Sequence, residues 1–162
     1  ALDAIPNVNV IYSRFENEYL NEKKHSESNL NIIINQYKTI SQKFISKTIL
    51  ISLNSETFSV EKIQKFVSKI NSKKTKIILL YPHPTIEQFK DNFLLQKYYE
   101  RKNDNFKKLS KLNEIQVFDT FDHICKKCNL NFYSEIFEDG VHFNLIGSLK
   151  LTKHLNEVTK TN

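Results

Sequence analysis

The sequence predicts an α/β protein, a three-layer α/β/α sandwich in which helices cover both faces of a mostly parallel sheet. Short apolar runs rich in β-branched residues alternate along the chain with longer segments whose apolar residues recur every three to four positions. The short runs are continuously apolar, which is typical of strands buried on both faces of a parallel sheet. Because right-handed crossovers join parallel strands, the intervening helices are expected on both sides of the sheet.

The first half of the chain contributes two predicted strands and two predicted helices. The segment "NVNVIYSRF" (7–15) is predicted as a strand and its exit, and "KTILISL" (47–53) as a strand buried on both faces. Helices are predicted over 29–44 and over 59–72, the second with Ser59 as its N-cap. Apolar residues recur at helical spacing in both helices, at Ile33, Tyr37, Ile40 and Phe44 and then at Ile63, Phe66, Val67 and Ile70.

The second half repeats the alternation. A buried strand is predicted over "KIILLYPHP" (76–84), and its prolines end it because proline cannot donate to a strand ladder. A lysine-rich amphipathic helix over 94–112 and a strand over 115–121 follow. The last helix begins after "DGVHFN". Its predicted apolar face comprises Leu145, Leu149, Leu151, Leu155 and Val158.

Composition fits one folded domain over residues 1–162. The chain is 40% hydrophobic and 12% aromatic, which argues against disorder, and no apolar run approaches the roughly 20 residues of a membrane helix. Lysine and arginine number 24 against 18 acidic residues, a net charge of +6. The lysines are scattered along amphipathic segments and no nucleic-acid recognition motif appears, so we expect a compositional bias and no nucleic-acid partner.

Polar residues follow each predicted strand. They are Ser13 and Arg14, residues 54–56, His83, Asp119 and the loop "EDGVH". In open parallel sheets, sites lie at the carboxyl ends of the strands, so these residues are expected at one edge. We expect His83 to be a loop residue lining this edge, and Asp119 to be a turn or cap residue.

The chain's two glycines, Gly140 and Gly147, flank His142. Asp139 precedes His142 by three residues, so on a tight turn its carboxylate can bind one ring nitrogen and leave the other free as a general base. Gly140 would permit that turn, and Asn144 would cap the following helix. The alternative is a surface histidine beside an aspartate that only caps the helix.

Two cysteines, Cys125 and Cys128, lie in "HICKKC". A local disulfide in an oxidising compartment is one interpretation, two free thiols are another, and a redox-active pair is a third. A metal is not predicted, because a full zinc site needs about four ligands and only His123 lies near enough in sequence to add a third. We expect no cofactor.

The segment "DGVHFNLIGSLKLTKHL" resembles the last conserved block of the SGNH (GDSL-type) hydrolase superfamily, Asp-x-x-His followed by a polar turn and a glycine in the last helix. Asp139, His142 and Gly147 occupy these places, and Asn144 lies in the turn. More narrowly, the order of "ILISLNSETF", "IILLYPHPTIEQF", "IQVFDTFDHICKKC" and this block is similar to the C-terminal SGNH domain of acyltransferase-3 proteins, which O-acetylate cell-surface polysaccharides. The resemblance spans roughly residues 47–155.

This resemblance implies an SGNH-type, flavodoxin-like fold and a serine esterase or O-acyltransferase that acts on acyl esters of cell-surface carbohydrate. His142 would be the general base, Asp139 would orient it, and Asn54 would donate to the oxyanion; alternatively, Asn54 only forms a turn. The acceptor would be a carbohydrate. A membrane acyltransferase domain of the same polypeptide would tether the protein outside the cytoplasm, in the periplasm or at the cell surface.

The family's Gly-Asp-Ser nucleophile motif does not occur in the chain. One interpretation is a domain truncated at its N-terminus, with the first strand and the serine upstream of Ala1. The other is a diverged domain that starts here, in which Ser13 is the positional substitute. The alternative function is a non-catalytic module on the same scaffold that binds a glycan or a protein.

Overall fold

The computed structural model describes residues 31, 32, 34–39, 48–53, 58–70, 76–125, 130–139 and 142–160, and the structural statements below concern these residues. The elements in chain order are the helical segment α1 (residues 34–39), β1 (Thr48–Ser52), α2 (Val60–Ile70), β2 (Lys76–Tyr81), α3 (Ile86–Lys90), α4 (Asn92–Leu109), β3 (Ile115–Asp119), α5 (Thr120–Cys125), α6 (Leu130–Ile136) and α7 (Leu145–Lys160). The predicted strand 7–15 lies outside the described residues.

The chain forms two compact units. One, which we call the sheet unit, takes in the described residues up to Tyr81 together with residues 102–118. The other, which we call the loop unit, takes in residues 82–101 and the described residues from Asp119 onward. The prediction that residues 1–162 form one SGNH-like domain stays a prediction.

The three described strands form a small parallel sheet in the order β1-β2-β3. β1 pairs with β2 in parallel, in a register that sets Thr48 opposite Lys76 and Ser52 opposite Leu80. The prediction of an α/β protein with a parallel sheet is therefore confirmed. β2 is buried from Ile77 to Tyr81, as expected for a central strand.

The prediction that the strand over 47–53 is buried on both faces is wrong for most of β1. Its residues 48–50 are partly exposed and Ser52 is exposed, whereas Ile51 is buried. The physical reason is position, because β1 lies at an edge of the described sheet and β2 covers only one of its sides. A continuously apolar run does not distinguish an edge strand from a central one.

Helix α2 matches its prediction closely. The Ser59 hydroxyl accepts a hydrogen bond from the backbone N–H of Lys62 at 3.2 Å, as an N-cap does, and donates to Glu61 at 2.9 Å. A backbone hydrogen bond, followed by that from Ser59, lowers the pKa of Glu61. The four residues predicted on the apolar face are all buried, namely Ile63, Phe66, Val67 and Ile70.

The sheet unit also contains an aromatic cluster centred on the buried Tyr81, the last residue of β2. The Tyr81 ring meets that of Phe58 edge to face at a centroid distance of 5.8 Å and that of Phe106 at 5.1 Å. Its hydroxyl accepts a hydrogen bond from the Asn105 side chain at 3.1 Å. Because a buried phenol needs a polar partner, this bond lets a large ring complete the core.

Between the prolines and α4, where no element was predicted, the chain forms the short helix α3. Thr85 begins it with a capping box, in which its hydroxyl accepts from the Gln88 N–H and the Gln88 side chain accepts from the Thr85 N–H. Asp91 then accepts from the backbone N–H groups of Phe93 and Leu94, so α4 begins two residues before the predicted position 94.

The C-terminal half needs two further corrections. The predicted strand over 115–121 ends at Asp119, because the Asp119 carboxylate accepts from the Asp122 N–H at 3.0 Å and starts α5. The expectation that Asp119 is a cap residue is thereby confirmed.

On α7, Leu151 and Leu155 are buried, but Leu145 is 75% exposed and Leu149 55% exposed. Residues 145 and 149 lie roughly 120° around the helix from 151 and 155 at 3.6 residues per turn, so one face cannot hold all four.

Among the described residues, no helix combines the length and the apolar character that crossing a membrane requires.

Candidate active site

The candidate site lies on the loop between α6 and α7. An isolated antiparallel bridge pairs Phe137 with Phe143 and closes this loop at its base. The Glu138 N–H donates to the His142 carbonyl at 2.8 Å, and the Asn144 N–H donates to the Ile136 carbonyl at 3.0 Å. Both ends of the loop are therefore held by backbone hydrogen bonds, although the side chains of Glu138, Asp139 and His142 are exposed.

Asn144 fixes the exit of the loop. Its side-chain oxygen accepts from the Gly147 N–H at 3.1 Å and caps α7, and its side-chain nitrogen donates to the Glu135 carbonyl at 2.6 Å. The prediction that Asn144 caps the last helix is confirmed. One amide thus ties the start of α7 to the end of α6.

Gly147 is needed for space. A Cβ added there would lie 2.4 Å from the Ile136 carbonyl oxygen and 2.8 Å from a ring carbon of Phe143, distances that real Cβ atoms do not reach. The first turn of α7 can approach the end of α6 this closely only because position 147 has no side chain. Gly147 therefore lets the last helix pack closely behind the loop.

A column of stacked aromatic rings packs against the base of the loop. The Phe89 ring stacks on Tyr133 at 4.6 Å, Tyr133 on Phe137 at 4.2 Å, and Phe137 on Phe143 at 4.7 Å, with interplanar angles of 23° to 25°. Tyr133 and Phe137 are buried. The Tyr133 hydroxyl donates to the Pro84 carbonyl, and burial raises the pKa of this phenol well above its ordinary value. Each stacked pair contributes about 0.5–1.5 kcal/mol beyond its buried area.

Asp139 and His142 form the predicted pair within this loop. One Asp139 carboxylate oxygen lies 2.6 Å from the His142 ring nitrogen Nδ1, and the other accepts from the His142 backbone N–H at 2.7 Å. The His142 side chain is 79% exposed and the Asp139 side chain 53% exposed. The carboxylate therefore fixes the position of both the backbone and the ring of His142.

The carboxylate also changes the acid–base chemistry of the ring. The hydrogen bond that His142 donates to Asp139, and then the negative charge of Asp139, raise the pKa of His142, and the charge of Glu138 adds a smaller contribution. When the ring is neutral, donation from Nδ1 to the carboxylate leaves the lone pair on Nε2. The arrangement can therefore accept a proton at Nε2 and hold the resulting imidazolium beside a carboxylate.

Several of the residues singled out by the sequence cannot be placed. Asn54, Ser13, Arg14, Gly140 and Cys128 lie outside the described residues. Cys125, buried at the end of α5, is disulfide-bonded. His83 lies in the loop unit, where its ring contacts Phe137 at a centroid distance of 4.3 Å and Phe143 at 5.1 Å.

Sequence reasoning missed the aromatic column. Its residues lie on α3, on α6 and in the loop, and only their packing brings them together. A partial signal exists, since Tyr133 and Phe137 are four residues apart and so share one face of a helix. That spacing alone also fits an ordinary buried helix face.

A second pair of histidines lies elsewhere in the loop unit. The rings of His123 and His154 meet edge to face at 5.5 Å, and His154 lies 3.6 Å from the Glu157 carboxylate. Nδ1 of His123 lies 2.6 Å from the Asp119 carbonyl oxygen, the distance of a short hydrogen bond. Within the described ranges, no group of three or more His, Cys, Asp or Glu side chains is placed to hold a metal ion.

Comparisons with protein-family models, with curated proteins and with solved structures found no significant match for this chain.

Proposed function

We propose that the chain is an SGNH-type domain that transfers or hydrolyses acyl esters on cell-surface carbohydrate, with His142 as general base and Asp139 as the residue that orients it. The observation that carries this proposal is the 2.6 Å contact between His142 Nδ1 and the Asp139 carboxylate. That contact selects the tautomer in which Nε2 accepts a proton, which nucleophilic catalysis by a serine requires. The high exposure of the His142 side chain leaves the ring accessible to a nucleophile and a substrate.

The proposed reaction has two steps. In the first, a serine hydroxyl gives its proton to Nε2 of His142 while its oxygen bonds to the ester carbonyl carbon. The tetrahedral intermediate then collapses, its C–O bond to the leaving alcohol breaks, and His142 returns the proton to that alcohol. In the second, a sugar hydroxyl or water gives its proton to Nε2 while its oxygen bonds to the carbonyl carbon of the acyl-serine. The C–O bond to the serine then breaks, and His142 returns the proton to the serine oxygen.

The remaining parts of the proposal rest on the family resemblance. The nucleophilic serine is expected upstream of Ala1, Asn54 is the proposed oxyanion donor, and the sheet is proposed to belong to a three-layer α/β/α sandwich. The acceptor is a carbohydrate, no cofactor or nucleic acid takes part, and a membrane domain of the same polypeptide holds the protein outside the cytoplasm.

A second candidate function is a non-catalytic binding module on the same scaffold. Within the described residues, the hydrogen bond that the His142 ring makes is to Asp139, and no hydroxyl or thiol is bonded to Nε2. An exposed imidazole beside a carboxylate can also bind a glycan hydroxyl or a protein partner through hydrogen bonds. In that case His142→Ala weakens ligand binding at most, and no ester is turned over.

A fluorophosphonate probe distinguishes the two, because it labels a serine only where a neighbouring base activates it. We expect the full-length protein to be labelled on one serine, and we expect His142→Ala to abolish labelling. His154→Ala is the matched control, since it removes a histidine of the same unit without touching the loop. A protein that is folded yet unlabelled supports the binding module.

A further inference from the structure

The ring of His83, which lies outside the α6–α7 region, packs against the base of the loop that carries Asp139 and His142. This residue follows β2 and is half-buried. Its ring lies against both members of the bridge that closes the loop, 4.3 Å from the Phe137 ring and 5.1 Å from the Phe143 ring. The two contacts are tilted, at 46° and 54°, between the stacked and the edge-to-face arrangements.

The backbone on either side of His83 is held in place. Pro82 and Pro84 flank it, and a residue before proline is restricted to extended conformations. The carbonyl of Pro82 accepts from the buried Tyr98 hydroxyl at 2.8 Å, and the carbonyl of Pro84 accepts from the buried Tyr133 hydroxyl. His83 Nδ1 itself lies 3.0 Å from the Pro84 carbonyl oxygen. The segment therefore presents the His83 ring from a rigid support.

From these contacts we infer that His83 is a positioning residue, whose ring fixes the Phe137–Phe143 bridge and thereby the alignment of the Asp139 carboxylate with the His142 ring. Holding the exposed side chains of Asp139 and His142 only 2.6 Å apart costs conformational entropy. The ring of His83 reduces the freedom of the loop at its base. In this arrangement His83 acts through its ring contacts with the two phenylalanines.

This inference rests on the Asp139–His142 pair of the proposed function and adds how that pair is held. Its test does not depend on ester turnover, so the two can fail separately. The readout is the NMR titration of the His142 ring protons. The reference for a lost pair is Asp139→Asn, which removes the carboxylate charge.

We expect the titration midpoint of His142 in His83→Ala to move from the wild-type value toward that of Asp139→Asn. We expect His83→Phe, which keeps the ring, to stay at the wild-type value, and His154→Ala to stay there as well. If His83→Ala fails to fold, His83→Leu fills the same space without an aromatic ring and gives the same comparison. If His83→Ala or His83→Leu is folded and His142 keeps the wild-type midpoint, the inference is overturned. A shift of the midpoint in His83→Phe as large as that in His83→Ala overturns it as well.

Discussion

The Asp139 carboxylate holds His142 at two points, the ring nitrogen Nδ1 at 2.6 Å and the backbone nitrogen at 2.7 Å. The second contact alone would make Asp139 an ordinary turn-stabilising residue, whereas the first gives it a role in acid–base chemistry. Substitutions that separate the two contacts therefore test what the carboxylate contributes.

Asp139→Asn is the first such substitution, because the amide oxygen can still accept from the His142 backbone N–H. We expect the pKa of His142 to fall toward the ordinary histidine value, since the hydrogen bond to the carboxylate and then its charge, which together raise the pKa, are lost. The measurement is an NMR titration of the ring protons. Glu138→Gln is the matched control and should lower the pKa less, because Glu138 makes the smaller contribution. Equal shifts in the two variants would mean that net charge, and not the hydrogen bond, sets the pKa.

The same pair makes stability depend on pH. The pKa of His142 is raised in the folded state. Its contribution to the free energy of unfolding is therefore complete below pH 6.5, the ordinary pKa of histidine, and is lost as the pH rises through the raised pKa. We expect the Tm difference between wild type and Asp139→Asn to be largest in mildly acidic buffer and to shrink at alkaline pH. Thermal unfolding of both proteins across this range measures it. A difference that grows with pH contradicts the assignment.

Gly147→Ala tests the close approach of α7 to α6. An alanine normally stabilises a helix relative to glycine by about 1 kcal/mol. Here its Cβ would lie 2.4 Å from a backbone carbonyl oxygen, which cannot move away as a side chain can. We expect a net destabilisation of about 1–3 kcal/mol, measured by urea unfolding. Ser148→Ala, at the next position of α7, should leave the stability nearly unchanged or raise it.

Asn144 makes two side-chain hydrogen bonds that different substitutions remove. Asn144→Ala loses both the cap of α7 and the bond to the Glu135 carbonyl, and we expect it to cost about 1–2 kcal/mol of stability. Asn144→Asp keeps the cap acceptor and loses only the donor. It should therefore fall between wild type and Asn144→Ala in urea unfolding, and an aspartate variant as unstable as the alanine variant would show that the cap contributes little.

The disulfide at Cys125 predicts that the native protein, purified without reductant, has no reactive thiol. A thiol-labelling assay under denaturing conditions, followed by intact-mass measurement, detects any thiol that burial hides. We expect no label before reduction and two labels after it, because the chain has two cysteines. If thiols are labelled before reduction, the cysteines no longer support the proposal of an oxidising compartment.

The parts of the fold that local chemistry determines could be predicted from the sequence. Ser59 and Asn144 act as caps because the side chain and the helix start that it satisfies lie within three residues of each other. The Asp139–His142 contact is of the same kind, since its two residues are three apart and meet within one turn of the chain.

The parts that depend on packing could not be predicted. The sequence singles out Gly147 but does not reveal that the Ile136 carbonyl occupies the space where its side chain would be. It places His83 after a strand but not against the phenylalanines that close the loop. Leu145 and Leu149 lie on a different side of α7 from Leu151 and Leu155, and the sequence does not say which of the two sides another element covers.

The most direct test of the central claim is hydrolysis of p-nitrophenyl acetate by the full-length protein, compared with its His142→Ala and His154→Ala variants. If His142 is the general base, its removal lowers kcat/KM by about 10²–10⁴-fold, whereas His154→Ala retains wild-type activity. Equal turnover by wild type and His142→Ala, with both proteins folded, would contradict the account.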